Sequence, residues 1–100
     1  MKKLIKEMRT GEEMYTWVEY FDGGERSKYA YSTLEEAMEA AAEHVRHGIR
    51  LTKRELKKMT KENVNFVDVC LITINEDGDE EEGFAEACVV IDESTLDCLY

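Results

Sequence analysis

The sequence predicts one α+β domain, spanning residues 1–100, in which a small antiparallel sheet of five to six strands packs against two central helices. Three observations lead to this fold class. Runs of aromatic and β-branched residues, which favour strands, lie in both halves of the chain. Between these runs, apolar residues recur at helical spacing behind two N-terminal capping signals. Turn residues separate the runs, so the predicted order is βββααβββ, a segregated pattern typical of α+β domains.

The first three strands are predicted before residue 32. Residues 2–9 fit either a short helix or a strand, and we favour the strand. Residues 14–21 are dense in aromatic and β-branched side chains, and Asp22-Gly23-Gly24 supplies the turn of a hairpin. The returning strand is predicted over residues 27–31. Most aromatic residues of this hairpin are expected in the core, and an exposed subset would form a protein interface: Trp17, Tyr20 and Tyr29.

Both central helices are predicted from their capping residues. Ser32 or Thr33, each with a glutamate three positions later, can form a capping box, and Gly48 is expected to end this first helix. Its apolar positions are Leu34, Ala37, Met38, Ala41 and Val45. The alanines predict that this helix lies close to the sheet. A second, peripheral helix is predicted over residues 52–62, capped by Thr52 with Glu55.

Three more strands are predicted in the last third of the chain. Residues 64–74 are apolar on both faces from Val69 to Ile72, which indicates a central strand. Residues 84–91 return, and their alternation places four apolar side chains on one face: Ala85, Ala87, Val89 and Ile91. Residues 96–100 are expected as an edge strand. Between the first two of these strands, residues 76–83 are predicted as an acidic loop.

Charge is distributed unevenly along the chain. Of the formal net charge of −10, residues 1–61 contribute +2, from 13 basic and 11 acidic side chains. Residues 62–100 contribute −12, from 12 acidic side chains and no basic one. A field of one sign steers partners of the opposite sign and opposes binding to phosphate, which lysine and arginine bind. We therefore expect no membrane binding, and the charge disfavours direct binding of nucleic acid.

The acidic loop has the carboxylates of a calcium site, because hard cations take carboxylate oxygens. When Gly78 is aligned with the glycine of an EF-hand loop, Asn75 and Asp77 fall at ligand positions. The same register places Thr73 at the first ligand position and Phe84 where the bidentate glutamate belongs. Strands rather than helices also flank the loop. We therefore predict no metal and no cofactor. The alternative to a metal-binding role is a solvated hairpin loop.

Enzymatic chemistry is not indicated by the sequence. His44 and His47 stand three positions apart on a helix, but no third metal ligand accompanies them. The three cysteines lie in apolar runs without C-x-x-C spacing, as expected for buried residues. There is no glycine-rich phosphate loop and no G-x-S-x-G motif. Lys6 and Glu7 follow the first apolar residues directly and leave no room for a secretory leader, so we expect a cytoplasmic protein.

A basic segment offers an alternative function. The second predicted helix, residues 52–62, carries five cations that could contact nucleic acid. They are Lys53, Arg54, Lys57, Lys58 and Lys61. The connection from Gly48 to Leu51 does not have helix-turn-helix spacing, and the field of the whole protein repels phosphate. These cations could equally pair with the acidic third of the same chain.

Two resemblances bear on function. The hairpin ending Tyr29-Ala30-Tyr31-Ser32, followed by Thr33-Leu34-Glu35-Glu36-Ala37, is similar to the strand-helix unit of HicB-type antitoxins. This chain has no proline, so the Asp-Leu-Pro-Gly segment of that family is missing. In size and charge the chain also resembles the small acidic proteins of phages and mobile elements, including anti-CRISPR inhibitors. That resemblance implies carboxylates presented to cationic nucleic-acid channels, and it assigns no catalytic residue.

The sequence therefore predicts a non-enzymatic inhibitor that blocks a basic nucleic-acid-binding surface on another protein, such as a nucleic-acid-binding effector complex. Clustered carboxylates would pair with the lysines and arginines that normally hold phosphate. The predicted partner-binding residues are Glu76, Asp77, Asp79, Glu80, Glu81, Glu82, Glu86, Asp92 and Glu93. The first alternative is an antitoxin-like or regulatory interaction module that uses the hairpin aromatics or an edge strand. The protein is expected as a monomer or homodimer.

Overall fold

A computed structural model describes residues 1–19, 25–45, 52, 54–55, 57–58, 67–91 and 98–99. The elements are β1 Lys2–Leu4, β2 Glu13–Glu19, β3 Tyr29–Tyr31, α1 Leu34–Glu43, β4 Val67–Ile74, β5 Glu80–Ile91 and β6 Cys98–Leu99. The strands form a sheet in the order β1-β3-β2-β4-β5-β6, and every neighbouring pair is antiparallel. The predicted α+β class with a small antiparallel sheet is confirmed.

The N-terminal segment closes one face of the sheet. β1 is shorter than the strand predicted over residues 2–9, because the chain turns into a 3₁₀ helix at Ile5–Glu7. This turn takes Ile5 and Met8 out of the line of the strand and onto the sheet, where both are buried. The cluster that they complete consists of Ile5, Met8, Met14, Ala30, Ile72 and Ile74. Burial of these side chains explains why the strand ends early.

The helix α1 covers the opposite face. Its N-cap is Thr33, whose hydroxyl accepts a hydrogen bond from the Glu36 amide at 3.1 Å, as the capping signal predicts. Ala37 and Ala41 have no exposed surface, so the small side chains do bring the helix close to the sheet. The buried cluster on this face consists of Trp17, Ala37, Met38, Ala41, Val45, Val67, Val69 and Val89. The helix end predicted at Gly48 lies outside the described residues.

The structure describes one complete helix where the sequence predicts two. Of the second predicted helix, the described residues are Thr52, Arg54, Glu55, Lys57 and Lys58. The predicted capping box is present, because the Thr52 hydroxyl lies 2.9 Å from a Glu55 carboxylate oxygen and the Glu55 amide donates back to that hydroxyl at 3.2 Å. All five residues are exposed, so none of them anchors the segment in a core. Arg54, Glu55, Lys57 and Lys58 have helical conformation, but the described residues form only one complete α-helix, so the predicted count of two was too high for the described chain.

The predicted acidic loop is largely a strand. The turn is confined to Asn75–Asp79, and Glu80, Glu81 and Glu82 are the first residues of β5. These three glutamates pair with Ile74, Thr73 and Ile72 of β4. Glutamate has little intrinsic preference for strands, but pairing with β4 satisfies main-chain groups that a loop would leave to water. The sequence prediction of a loop over residues 76–83 was therefore wrong from Glu80 onward.

Two bulges interrupt β5, and at each of them an extra residue of β5 is inserted opposite β4. Glu86 is the extra residue of the first bulge. In the second, Gly83 and Phe84 both lie opposite Leu71. Each insertion breaks the strict alternation of side chains along the strand.

The first bulge overturns one prediction about the sheet faces. Strict alternation places Ala85 on the same face as Ala87, Val89 and Ile91. In the structure, Ala85 lies opposite Cys70 and Ala87 lies opposite Val69. Because Val69 and Cys70 are neighbours in β4, they point to opposite faces, and so do their partners. Ala85 therefore does not share the α1 face with Ala87 and Val89.

Candidate functional site: the acidic hairpin

The acidic hairpin, defined as residues 75–86, is built on an ordered turn. The side-chain oxygen of Asn75 accepts hydrogen bonds from the amides of Asp77 and Asp79, both at 2.9 Å. The Gly78 amide donates to the Asn75 carbonyl at 3.0 Å, and Gly78 has a φ of 83°, which glycine adopts without steric cost. Because this turn is fixed by hydrogen bonds, the acidic side chains on it are presented in a defined arrangement.

The carboxylates of the hairpin fall on three different surfaces. Glu76, Asp77 and Asp79 lie within the turn, and their exposed side chains form the tip of the hairpin. Glu81 lies opposite Thr73 on the same sheet face as α1. Glu80 and Glu82 lie on the face closed by the N-terminal segment, because successive side chains of a strand alternate. The predicted acidic set is therefore not one continuous display.

The remaining predicted acidic residues lie further along the chain. Glu86 is exposed at the first bulge of β5. Asp92 and Glu93 lie outside the described residues, so their predicted role as partner-binding residues stays a prediction. Seven of the nine predicted residues are thus placed on the hairpin, and the tip holds three of them.

Arg26 contacts two of the hairpin carboxylates. Its Nη1 donates to Glu82 Oε1 at 2.9 Å, and its Nη2 donates to Glu80. Burial lowers the pKa of the guanidinium, but the hydrogen bonds and charges of the two carboxylates outweigh this effect and raise the pKa overall. Arg26 lies beside Val18 of β2 and reaches these glutamates across the sheet. No spacing in the sequence could have identified a partner 54 and 56 positions away.

The tip carboxylates differ from those two glutamates. Within the part of the chain that the structure describes, Glu76, Asp77, Asp79 and Glu86 form no ion pair. Glu81 accepts a hydrogen bond from the Asn75 side-chain amide at 3.1 Å. A carboxylate without an internal cation can form charge-assisted hydrogen bonds with the cations of a partner. The tip is therefore the part of the hairpin best suited to bind cations of another molecule.

Phe84 is a site residue that the sequence prediction did not include. Its side chain is 98% exposed on β5, whereas most phenylalanines are largely buried. Its position follows from the second bulge, which the residue pattern does not reveal. A fully exposed aromatic ring inside an acidic surface is a feature typical of a protein interface.

The predicted aromatic interface is only partly available. Trp17 is 9% exposed and packs beneath α1, so the expectation that it anchors an exposed interface is not met. Tyr29 is 37% exposed, and the Lys2 ammonium lies 4.4 Å from the centre of its ring. Tyr20 lies outside the described residues. Trp17 is buried because it lies on the α1 face of β2, between two strands that also bury their side chains there.

A histidine–glutamate pair lies beside Trp17. The His44 ring stacks on the indole with ring centres 4.1 Å apart and an interplanar angle of 20°. His44 Nε2 lies 2.6 Å from Glu19 Oε2, and the Glu19 side chain is almost completely buried. His44 therefore partners a buried carboxylate. His47, its predicted neighbour on the helix, lies outside the described residues.

An open groove of about 1040 Å³ runs between α1 and residues 25–31. Carboxylates line it, among them Glu25 and Glu39, but so do the cations Lys28 and Arg26. Mixed charges of this kind provide no field of one sign for a charged ligand. The acidic hairpin is therefore the stronger candidate surface.

Three other candidate groups are a cysteine thiol, the possible metal ligands and the basic segment. Cys70 is buried, and burial raises the pKa of its thiol to about 11, which keeps it protonated. Among the described residues, no three metal-ligating side chains come together. The described cations of the basic segment, Arg54, Lys57 and Lys58, are exposed, while Lys53 and Lys61 lie outside the described residues.

Comparison with known proteins identifies no relative of this chain. No protein-family model matches the chain, and neither a curated protein nor a solved structure is significantly similar to it. The resemblances to HicB-type antitoxins and anti-CRISPR inhibitors therefore stay predictions. In the part of the chain that is described, no helix is long and apolar enough to cross a membrane.

Proposed function

We propose that this protein is a non-enzymatic inhibitor that occupies a basic nucleic-acid-binding surface of another protein. The observation that carries the proposal is the tip of the acidic hairpin. Glu76, Asp77 and Asp79 are exposed there, on a turn held by Asn75, and none of the three is paired with a described cation. The partner is a protein surface rich in lysine and arginine.

The chemistry of such a complex follows from the charges. Carboxylates form charge-assisted hydrogen bonds with guanidinium and ammonium groups, which are the groups that bind phosphate. The formal charge of −12 over residues 62–100 attracts such a surface at long range and speeds association at low salt. Because the turn is already ordered, little conformational entropy is lost when its carboxylates bind. The protein thus competes with nucleic acid for the same cations.

The test compares two triple variants of equal charge. The tip variant combines Glu76→Gln, Asp77→Asn and Asp79→Asn. The control variant combines Glu7→Gln, Glu35→Gln and Glu39→Gln, which neutralises three exposed carboxylates outside the hairpin. Each protein is immobilised and used to capture partners from a cell lysate, with and without an excess of single-stranded oligonucleotide. Captured proteins are quantified by mass spectrometry.

We expect the wild-type and control proteins to capture a nucleic-acid-binding protein that the oligonucleotide displaces. The tip variant should recover it roughly tenfold less efficiently at low salt, because about three charge-assisted contacts are lost. The salt dependence of binding should also become shallower. Equal recovery by all three proteins, or capture that the oligonucleotide does not affect, would contradict the proposed function.

A further inference from the structure

We propose that the partner docks an amphipathic basic segment on an apolar row formed by Tyr15, Leu71 and Phe84, on the sheet face beside α1. This inference rests on the proposed function and specifies where the partner is anchored. The hairpin tip supplies charge, and the row supplies apolar contact. The tip, Leu71 and Phe84 lie on the β4–β5 hairpin, and Tyr15 lies on the neighbouring strand β2.

Strand register creates the row. Tyr15 of β2 lies directly opposite Leu71 of β4. On the other side of β4, the second bulge of β5 places Gly83 and Phe84 opposite Leu71. Residues directly opposite each other in an antiparallel sheet point to the same face. Leu71 shares its face with Val69, because they are two positions apart, and Val69 packs under α1.

The row lies next to the surface that α1 buries. Its neighbouring row, formed by Trp17, Val69 and Ala87, packs against the helix, and Val69 is fully buried. In contrast, Phe84 is 98% exposed, and Leu71 and Tyr15 are each only partly buried. A β-carbon at position 83 would lie 3.6 Å from the Leu71 β-carbon. Because Gly83 has no side chain, Leu71 stays accessible. The sheet face therefore continues beyond the helix as an apolar strip.

Carboxylates border the strip on its outer side. The next row of the sheet consists of Glu13, Thr73 and Glu81, and both glutamates are exposed. An apolar centre with a charged rim is the usual arrangement of a protein interface. The complementary segment has aliphatic side chains that cover Phe84 and Leu71, and lysines or arginines that reach Glu13 and Glu81. This charge complementarity identifies the occupant as basic.

Two other occupants fit this surface less well. A second copy of the chain would bring the carboxylates of Glu13 and Glu81 against equally charged groups, which is unfavourable. A strand added to β5 along the part of its outer edge that β6 does not cover would need regularly spaced main-chain groups. The bulges at Glu86 and at Gly83–Phe84 disrupt that spacing, a device that protects sheet edges from pairing.

The test uses two synthetic peptides of equal length and charge. In one peptide lysine alternates with leucine, and in the other lysine alternates with serine. Binding to the wild-type protein, to Phe84→Ala and to the tip variant described above is measured by fluorescence anisotropy at low salt. Phe84 is almost fully exposed, so its removal costs no buried contact, and circular dichroism checks that the fold is retained.

The lysine–leucine peptide should bind the wild-type protein about tenfold more tightly than the lysine–serine peptide, because burial of apolar side chains adds to the electrostatic attraction. Phe84→Ala should abolish this difference and leave the weaker binding of the lysine–serine peptide unchanged. Equal affinity of the two peptides, or no effect of Phe84→Ala, overturns the inference. Self-association of the protein that Phe84→Ala abolishes would also overturn it, in favour of a homodimer interface.

The outcomes separate this inference from the proposed function. If the tip variant weakens the binding of both peptides while Phe84→Ala changes nothing, the electrostatic function stands and the apolar anchor is wrong. If neither peptide binds the wild-type protein at low salt, the proposed attraction to basic surfaces fails as well.

Discussion

The guanidinium of Arg26 lies 2.9 Å from the carboxylate of Glu82, although 56 positions separate the two residues in the chain. The same guanidinium also contacts Glu80. Together these contacts divide the carboxylates of the acidic hairpin into two groups. Glu80 and Glu82 are held by an internal cation on one face, whereas the tip carboxylates and Glu81 remain available to another molecule. The carboxylates of the strongly acidic third are thus only partly available to a partner.

The first prediction concerns this ion pair. Arg26→Met keeps much of the side-chain stem but removes the charge, which leaves two neighbouring glutamates without their cation. The free energy of unfolding should fall by about 1 kcal/mol, the upper end of the range for partly exposed pairs. Urea denaturation measures the change, which should shrink at high salt. Lys28→Met, which removes an exposed cation, serves as the control, and equal losses in both variants would contradict a specific role for Arg26.

The second prediction concerns the turn of the acidic hairpin. Gly78 has a φ of 83°, a conformation that costs residues with a β-carbon about 1 kcal/mol or more. Apart from Gly78 itself and its two chain neighbours, no atom lies within 4 Å of a β-carbon built at this position, so backbone strain alone should set the effect. Gly78→Ala should therefore destabilise the protein by about 1 kcal/mol, and Gly78→Asn by less, because asparagine tolerates this region. Thermal unfolding of the two variants tests the order, and equal stability would contradict it.

The third prediction concerns the contact between α1 and the sheet. Ala41 lies on the side of α1 that packs on the sheet and has no exposed surface. Its neighbour Ala40 is only partly buried, at the groove beside α1. Ala41→Leu should push the helix away from Val69 and cost about 1–3 kcal/mol. Ala40→Leu makes the same substitution where there is room and should be tolerated. If chemical denaturation shows the same loss for both variants, close packing at Ala41 is not the cause.

The fourth prediction concerns pH. A hydrogen bond from Lys3 and another from the Arg9 amide lower the pKa of Glu12 below its ordinary value of 4.5. A carboxyl group with a lowered pKa in the folded state stabilises the protein fully above 4.5, and this stabilisation is lost as the pH falls through the folded-state value. Glu12→Gln should therefore lower stability at neutral pH and make the decline towards acid shallower. Glu35→Gln, an exposed helix residue, is the control in urea titrations across this pH range.

The fifth prediction concerns thiol reactivity. Because burial raises the pKa of Cys70 to about 11, only roughly one thiol in a thousand is ionised at about pH 8. Cys70 should react with iodoacetamide much more slowly than the partly buried Cys88 in the folded protein, and at a similar rate in urea. Peptide mapping by mass spectrometry distinguishes the two sites. Rapid native labelling of Cys70 would show that β4 opens readily.

Local patterns were sufficient for much of the fold. Thr33 caps α1 through Glu36, and Thr52 forms its box with Glu55, because a capping box depends only on residues three positions apart. The alanine face of α1 also packs on the sheet as predicted, since helical spacing alone places those side chains together. These interactions are close in sequence, and the residue pattern therefore identifies them.

Interactions between distant segments could not be predicted from local residue patterns. The insertion of Ile5 and Met8 over the sheet ended β1 early, because burial of these side chains outweighed continued pairing. The glutamates predicted as a loop joined β5 because β4 offered main-chain partners. The two bulges then moved Ala85 to the other face and left Phe84 exposed. Strand register depends on pairing across the sheet, and no single stretch of sequence specifies it.

The sequence by itself determined the α+β class, the capped helix and the acidic character of the last third, because composition, spacing and capping are properties of neighbouring residues. Only the tertiary structure decided which carboxylates remain available for a partner. Arg26 lies in the less acidic part of the chain and reaches Glu80 and Glu82 only because β2 and β4 bring these segments together across the sheet. The sign of the charge is encoded locally, whereas the surface that displays it is set by long-range pairing.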